Sequence, residues 1–238
     1  MKKVYVSVSG DFIHPGHLNV IKKAAELGEV IVGLLTDEAI ATYKRLPVLN
    51  FEQRRNVFEN IKGISQIVVQ KTLDYTENLR ALKPDYVVHG DDWKVGFGKP
   101  VRENVISILK EWGGELVEIE YTKGLSSSYI VDELRKAGTT PQTRLSSLKR
   151  LISSKPIVRI IEVHNGLCGL IAEKTNVKME NGEVRSFDGM WESSLTDSIS
   201  KGKPDTSAVD VTSRVHTINQ VLEVTTKPII VDGDNGAG

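Results

Sequence analysis

Hydrophobic and polar positions in the first half of the chain follow two alternating periods. Apolar runs of strand composition recur as VYVSV (residues 4–8), VIVGLL (30–35), QIVVQ (66–70), DYVVHG (85–90) and ELVEIE (115–120). Between them, segments such as HLNVIKKAAELG and VRENVISILKEW carry apolar residues at helical spacing. This alternation predicts an α/β fold with a Rossmann-like, doubly wound parallel sheet over residues 1–137.

The second half of the chain repeats the alternation after an interruption. Glycine, threonine and proline in KAGTTPQT predict a linker at residues 138–145. From residue 146 to 238 the pattern predicts helix and strand in turn, with strands in VRIIEVHN, FDGMWES and PIIVDGDNGAG. An α/β barrel contains eight such units in about 250 residues. The segment therefore predicts a partial (β/α)8 barrel of about three strands, either a fragment of a longer chain or an incomplete remnant.

Composition and charge limit the kinds of binding partner and the cellular compartment that we expect for this protein. Lys and Arg number 31 against 31 Asp and Glu, which predicts neither a nucleic-acid partner nor an anionic membrane. No apolar run approaches the ~20 residues of a membrane span, and the amino terminus does not suit a signal peptide, so we expect a cytoplasmic protein. The single Cys168 excludes an intramolecular disulfide, and its helix-like surroundings predict a buried, small apolar residue.

Two histidines, His14 and His17, lie in the stretch GDFIHPGH, where the first predicted strand gives way to the first predicted helix. Open parallel sheets bind ligands at this point, and a helix N-terminus presents free N–H groups to phosphate. Nucleotidyl transfer builds negative charge on phosphate oxygens, which positioned imidazoles stabilise. An ordinary turn is the alternative; zinc ligation would need further ligands, and none lies nearby at a typical spacing.

The stretch GDFIHPGH resembles the HxGH signature of the cytidylyltransferase-like nucleotidyltransferase family, and the resemblance extends over residues 1–137. It implies that His14 and His17 contact the triphosphate and stabilise the transition state. It also implies that Lys44 holds the phosphates, with Arg45 as the second candidate. Further nucleotide contacts are implied for Gly10, Asp11 and Phe12 in the turn, Arg54 in FEQRRNVF, and Asp91, Asp92 and Trp93 in HGDDW.

A charged pair such as Arg54 and Arg55 is equally typical of a solvated helix face, so for Arg54 both interpretations stay open. The segment YTKGLSSS, residues 121–128, resembles the family's second signature, R-T-x-G-[IV]-S-[ST]. Tyr121 replaces the family's arginine, and Lys123 offers only a flexible point charge in its place. Hydroxyls and glycine there fit a loop that holds β- and γ-phosphates. The resemblance assigns these contacts to Thr122, Lys123, Gly124, Ser126, Ser127 and Ser128.

Residues 143–238 resemble the beginning of a phosphoenolpyruvate mutase, a member of the isocitrate lyase superfamily of α/β barrels. The segments EVHNGLCGLIAEK, MWESSLTDSISKGKPD and PIIVDGDNGAG carry the resemblance. Glu192 and Ser194 stand where many relatives carry glycine. The residues of this segment do not distinguish a mutase from a lyase of the same superfamily. The resemblance places the substrate among Trp191, Ser193, Leu195 and Asp205.

Two aspartates in VDGDNG, Asp232 and Asp234, match the D-x-D with which that superfamily holds Mg²⁺. They alternate along the strand, so both carboxylates are expected to point the same way at its carboxyl end. Mg²⁺ bound there would polarise the phosphoryl and enolate oxygens of phosphoenolpyruvate. The alternative is a pair of aspartates in a turn, since DGDNG also has turn composition.

Together the two resemblances imply phosphonate biosynthesis, in which such domains occur fused. The leading hypothesis is transfer of CMP from CTP to a small phosphonate or phosphate acceptor, with Mg²⁺ as cofactor and release of pyrophosphate. The alternatives are a longer chain defined by conversion of phosphoenolpyruvate to phosphonopyruvate, and a regulatory module that binds nucleotide without catalysis. The resemblance also allows a homo-oligomer, because relatives in both families commonly associate.

Overall fold

Five parallel strands form the sheet of the first half, in the order β3-β2-β1-β4-β5. The computed structural model describes residues 1–120, 141–180 and 184–234, without the side chains of 141–143. The strands are β1 (Lys3–Val8), β2 (Glu29–Leu35), β3 (Ile64–Gln70), β4 (Tyr86–Gly90) and β5 (Glu115–Ile119). All five coincide with the runs that the sequence predicts, and the α/β prediction is confirmed.

Helices cover both faces of this sheet. They are α1 (Pro15–Leu27), α2 (Asp37–Ala41), α3 (Phe51–Glu59), α4 (Thr76–Leu82) and α5 (Lys99–Leu109), with short 3-10 turns at Asp91–Lys94 and Gly96–Gly98. Because strand residues alternate between faces, Val4 and Val6 pack with Phe58 of α3, whereas Tyr5 packs with Leu79 of α4. The central strand β1 is therefore buried from both sides.

The second half forms a smaller unit around three parallel strands. These are β6 (Ile160–Val163), β9 (Gly189–Glu192) and β10 (Ile229–Val231), and they lie side by side in chain order. Strands β7 (Asn176–Lys178) and β8 (Val184–Ser186) form an antiparallel hairpin that the sequence does not predict. The helices are α6 (Pro141–Ser154), α7 (Gly166–Lys174), α8 (Ser194–Ser200) and α9 (Val211–Val224).

Three adjacent parallel strands with helices between them agree with the first three units of a barrel, and no closed barrel is present in the described part of the chain. The core of this unit contains Val163, Met190 and Val221. The predicted linker at 138–145 needs a correction, since α6 already begins at Pro141, while residues 138–140 lie outside the described residues. Among the described helices, none has the length and hydropathy needed to cross a membrane.

Candidate active site

A cavity of about 360 Å³ opens at the carboxyl ends of β1 and β4. These two strands are neighbours, and the chain leaves them toward opposite edges of the sheet, which is where doubly wound sheets bind ligands. Polar side chains line one part of the cavity and aromatic rings another. The residues on which the site depends are Ser9, His14, His17, Tyr43, Lys44, His89, Asp92 and Trp93.

The two histidines of GDFIHPGH lie side by side at the start of α1. His14 is the N-cap residue, Pro15 is the first helical residue, and the centres of the His14 and His17 rings are 4.0 Å apart. Proline suits this position because it has no N–H to leave unsatisfied. In each ring Nδ1 is buried and has no hydrogen-bond partner among the described residues. Both residues line the cavity, so the parts of their rings that border it can contact a ligand near the helix N-terminus.

Burial keeps both rings uncharged at neutral pH. Desolvation lowers the pKa of His14, and desolvation together with the nearby charges of His14 and Lys44 lowers the pKa of His17 to about 4. A neutral imidazole carries one N–H donor and one acceptor nitrogen. The two rings can therefore each donate one hydrogen bond to a negatively charged group such as a phosphate.

Lys44, to which the resemblance assigns phosphate binding, lines the same cavity as the two histidines. Its Nζ donates to the hydroxyl of Ser9 at 2.9 Å, and burial lowers the pKa of Lys44, an effect that nearby Asp11 opposes. Ser9, which sequence reasoning did not single out, follows directly after β1 and lines the cavity. An ammonium group with one hydroxyl partner retains donors for phosphate oxygens.

Gly10 and Asp11 shape the turn before the histidines and do not line the cavity. Gly10 has φ +65°, and a Cβ there would overlap the ring of Phe58. Asp11 is buried, and its Oδ1 accepts the backbone N–H of Val48 at 2.7 Å and of Leu49 at 3.3 Å. The two residues therefore position the loop that carries Lys44, while their predicted contact with nucleotide, like that of Phe12, stays a prediction.

Arg54 is completely buried, which neither sequence interpretation anticipates. Its guanidinium donates to the backbone carbonyl of Ser9 and, at 2.8 Å, to Oδ1 of Asp37. The side chain does not line the cavity, so a direct nucleotide contact remains a prediction. In this structure Arg54 fixes the end of β1, from which the histidine turn departs. Its neighbour Arg55 is exposed and pairs with Glu59.

The HGDDW segment supplies the opposite wall. The ring of His89 stacks on Trp93 with centres 3.8 Å apart, and burial lowers the pKa of His89. Trp93 donates through Nε1 to Glu118 at 2.9 Å, so its orientation is fixed. Asp92 lines the cavity with an exposed side chain, whereas Asp91 lies outside the lining and within 3.8 Å of Lys94. His89 is a residue that sequence reasoning quoted in a motif but did not assign to the site.

Aromatic side chains close the remaining part of the cavity. The rings of Tyr43 and Phe97 stack with centres 6.0 Å apart, and burial raises the pKa of Tyr43 to about 12. The second signature, which contains Thr122, Lys123, Gly124, Ser126, Ser127 and Ser128, lies outside the described residues. Its predicted phosphate contacts therefore stay predictions.

In the second unit, three of the predicted substrate residues surround the end of β9. Ser193 is buried, while Trp191 and Leu195 are 42% and 47% exposed. Asp205 is exposed in the segment between α8 and α9. Cys168 is half-buried against the core of this unit, less deeply than predicted, with Sγ 3.6 Å from Nε2 of His164.

Asp232 and Asp234 follow β10, at the same edge of the sheet as Ser193. Asp232 accepts the Ser194 hydroxyl at 3.0 Å and the backbone N–H of Asp234 at 3.0 Å, and these bonds lower the pKa of Asp232. Asp234 pairs with Arg214 at 2.5 Å. The bond from the backbone N–H of Asp234 to the Asp232 carboxylate is typical of an aspartate turn. The two aspartates therefore lie in a turn and are also close enough in sequence to act as a carboxylate pair.

The carboxylates of Asp232 and Asp234 are ligands of the kind that Mg²⁺ prefers, since this ion is commonly held by one or two carboxylates together with substrate oxygens. Asp232 is ionised and keeps free lone pairs, whereas a metal at Asp234 has to share that carboxylate with Arg214. No group of three or more metal-binding side chains occurs among the described residues. The predicted magnesium site therefore rests on these two carboxylates.

Fold and cavity define an α/β protein with a five-stranded parallel sheet and a cavity at its switch point, lined by histidines, a lysine and aromatic residues. A family model described as cytidylyltransferase-like matches residues 9–133, more than half of the chain. The chain belongs to the cytidylyltransferase-like family. A second model, described as phosphoenolpyruvate phosphomutase, matches residues 148–238.

Three curated relatives illustrate the similarity. Ethanolamine-phosphate cytidylyltransferase of Dictyostelium discoideum is 34% identical over 135 residues, 56% of this chain and 36% of the relative. FAD synthase of Ferroglobus placidus is 33% identical over 92 residues, 39% of this chain and 60% of the relative. The bifunctional protein HldE of Gluconobacter oxydans is 28% identical over 141 residues, 57% of this chain and 28% of the relative. The chain thus spans less than two thirds of each relative.

Proposed function

We propose that this protein transfers a nucleotidyl group from CTP to a small phosphonate or phosphate acceptor and releases pyrophosphate. The observation that carries the proposal is the pair of uncharged imidazoles of His14 and His17, which lie side by side at the start of α1 and line one cavity with Lys44. Donors in this arrangement suit the charge that develops around the α-phosphorus. Membership in the cytidylyltransferase-like family supports CTP as donor.

The chemistry follows from these positions. An oxygen of the acceptor attacks the α-phosphorus in line, the new P–O bond forms, and the bond to the pyrophosphate oxygen breaks. His14, His17 and Lys44 donate hydrogen bonds to the phosphate oxygens as charge builds on them, and the N-terminus of α1 adds its dipole. Mg²⁺, when bound to the triphosphate, neutralises part of its charge.

The phosphonate acceptor is suggested by the second unit. Its match to a family model described as phosphoenolpyruvate phosphomutase supports a second unit of carbon–phosphorus chemistry beside the proposed transferase. Enzymes joined in one chain often act on related substrates, so a phosphonate such as 2-hydroxyethylphosphonate is the preferred acceptor in this proposal. A phosphate monoester is the alternative, as in the name of the Dictyostelium relative.

Pyrophosphate release tests the transferase proposal. The purified protein with Mg²⁺ and each of CTP, ATP, GTP and UTP is offered 2-hydroxyethylphosphonate, 2-aminoethylphosphonate or glycerol phosphate. We expect CTP-dependent release, reduced on the order of 10²- to 10³-fold in His14→Ala, as when one transition-state donor is lost. The matched control His216→Ala removes an exposed histidine of the second unit and leaves the rate unchanged. CTP binding without release from any acceptor would instead identify a regulatory module.

A second candidate activity is conversion of phosphoenolpyruvate to phosphonopyruvate by the second unit. The supporting observation is that Ser193, Asp232 and Asp234 lie at one edge of three parallel strands, where barrel enzymes have their sites. Mg²⁺ held by the two aspartates would polarise the phosphoryl and enolate oxygens. Since a barrel site is built from the ends of several strands, we propose that this activity requires a completed barrel.

Phosphorus NMR tests the second activity by following phosphoenolpyruvate and phosphonopyruvate in the same sample. A form of the protein that includes the remaining barrel strands is expected to interconvert them, and Asp232→Asn to abolish the conversion. Interconversion at an unchanged rate in Asp232→Asn would reject the assigned role of this carboxylate.

A further inference from the structure

Four polar atoms near the end of β9 are buried without a partner among the described residues. They are both carboxylate oxygens of Glu192, Nη1 of Arg214 and Oγ of Ser198. Glu192 is completely buried. A buried carboxylate with no hydrogen bond is costly, so it takes up a proton, gains a compensating charge or adopts a second arrangement in which it is paired. Burial raises the pKa of Glu192 to about 7, so the group is mainly ionised only above neutral pH, where it needs a cationic partner.

The charged groups that face Glu192 are Asp197, Arg214, Lys201 and Asp232. Of the two cations, Lys201 is already engaged, since its Nζ donates to Asp197 at 2.6 Å and 2.8 Å and also to the Thr217 hydroxyl at 2.9 Å. Arg214 uses Nη2 for Asp234, and its Nη1 is unused in the described structure. Arg214 is therefore the cation that remains available to Glu192.

The present partner of Arg214 is one of the two carboxylates assigned to Mg²⁺. Nη2 of Arg214 lies 2.5 Å from Oδ2 of Asp234. A divalent cation that binds Asp234 repels the guanidinium, because like charges a few ångström apart repel each other. The guanidinium then needs another acceptor, and Glu192 offers two unpaired oxygens.

We propose that Arg214 and Glu192 are positioning residues that control access of Mg²⁺ to Asp234: without metal Arg214 pairs with Asp234, and with metal it pairs with Glu192. The proposal rests on the second candidate activity, since that activity places Mg²⁺ at Asp232 and Asp234. No bond is made or broken in this step; one ion pair replaces another.

Calorimetric titration of the full chain with Mg²⁺ at pH 8 tests the proposal. The part of the binding heat that is lost in Asp232→Asn is assigned to Mg²⁺ binding at this site. In Glu192→Gln, Arg214 loses its alternative partner and stays on Asp234. We expect the affinity for Mg²⁺ to fall about tenfold, in the range seen for residues that support metal ligands. The metal-free variant is expected to unfold at a higher temperature, because an unpaired buried charge has been removed. These opposite effects exclude a general loss of structure.

Arg214→Gln supplies a test with the opposite sign. Removing the competing cation leaves Asp234 free, so Mg²⁺ is expected to bind equally or more tightly. In this background Glu192→Gln changes the affinity by less than about twofold, because the two residues act through one another. The control Glu223→Gln, on the exposed face of α9, leaves the affinity unchanged.

The outcomes separate the inference from the activity on which it rests. No Mg²⁺ binding at Asp232 in the unmodified chain would reject both. Binding that is unaffected by Glu192→Gln, or weakened equally in the Arg214→Gln background, would reject the ion-pair exchange alone. A tenfold weaker affinity in Arg214→Gln would show that Arg214 holds Asp234 in place for the metal, which also contradicts the exchange.

Discussion

Arg54 provides the sharpest test of how this site is built, because sequence and structure assign it different roles. The substitution Arg54→Met keeps the length of the side chain and removes its charge. In the structure it deletes hydrogen bonds to the Ser9 carbonyl and to Asp37, whose carboxylate is only 13% exposed. Breaking a buried ion pair by removing one partner costs about 3–5 kcal/mol. A domain whose total stability is about 5–15 kcal/mol loses a large part of it.

The neighbouring residue offers a matched control. Arg55 has a side chain that is 47% exposed, and it pairs with Glu59 one helical turn away. Such surface pairs contribute about 0.3–0.5 kcal/mol. Arg55→Met is therefore expected to change stability by roughly a tenth of the effect of Arg54→Met, although both substitutions remove the same charge from the same helix.

Native-state hydrogen exchange, measured by mass spectrometry, is the appropriate assay because the chain has two units and a single unfolding midpoint would combine them. A loss of 3–5 kcal/mol corresponds to roughly 150- to 5,000-fold faster exchange in peptides of β1 and α3. CTP affinity is measured in parallel. Normal exchange in Arg54→Met together with a large loss of CTP affinity would refute the structural role and support a direct nucleotide contact.

Three further predictions concern the turn, the histidines and the second unit. Gly10→Ala is expected to destabilise the first unit by about 2–4 kcal/mol, measured by native-state hydrogen exchange in peptides of β1, since φ is +65° and the new Cβ overlaps Phe58; unchanged exchange there would contradict this. Burial lowers the pKa of His17 from 6.5 to about 4, so its neutral form stabilises the fold above pH 6.5, and this contribution is lost as pH falls toward 4. By pH 5 the loss reaches about 2 kcal/mol, and melting temperatures of His17→Asn should depend less on pH; parallel curves for the two proteins would reject the assignment. Lys201→Met leaves the buried carboxylate of Asp197 without its cation and should cost about 3 kcal/mol, measured as faster native-state hydrogen exchange in peptides of β9 and α8; unchanged exchange there would argue against the pairing.

The regular elements could be predicted from the sequence because their signals are local. All five strands of the first sheet lie within apolar runs bounded by turn residues, and α1 follows the spacing of Ile21 and Ala24. The helices α2, α4 and α8 were missed, since at five to seven residues each they are too short to show a period. The hairpin of β7 and β8 was missed because three-residue strands carry little pattern.

The candidate site was predicted in part for a similar reason. His14 and His17 are three positions apart on one turn, so local geometry brings them together, and the motif was sufficient. Lys44 was placed by resemblance, and the structure puts it beside them. Ser9, Tyr43 and His89 were not assigned, because serine, tyrosine and histidine occur throughout the chain and only the packing of separate elements brings these three to one cavity.

The sequence by itself determined the α/β class, the succession of strands along the chain, the histidine turn and the two family resemblances, all of which depend on neighbouring residues or on short motifs. The tertiary structure decided which charges are buried. Arg54 and Arg55 are adjacent in sequence, yet one is enclosed with Asp37 and the other lies in solvent, because a helix turns each residue toward a different environment. Glu192 likewise reads as an ordinary strand-end glutamate, and its isolation from every described donor follows only from the elements that pack around it.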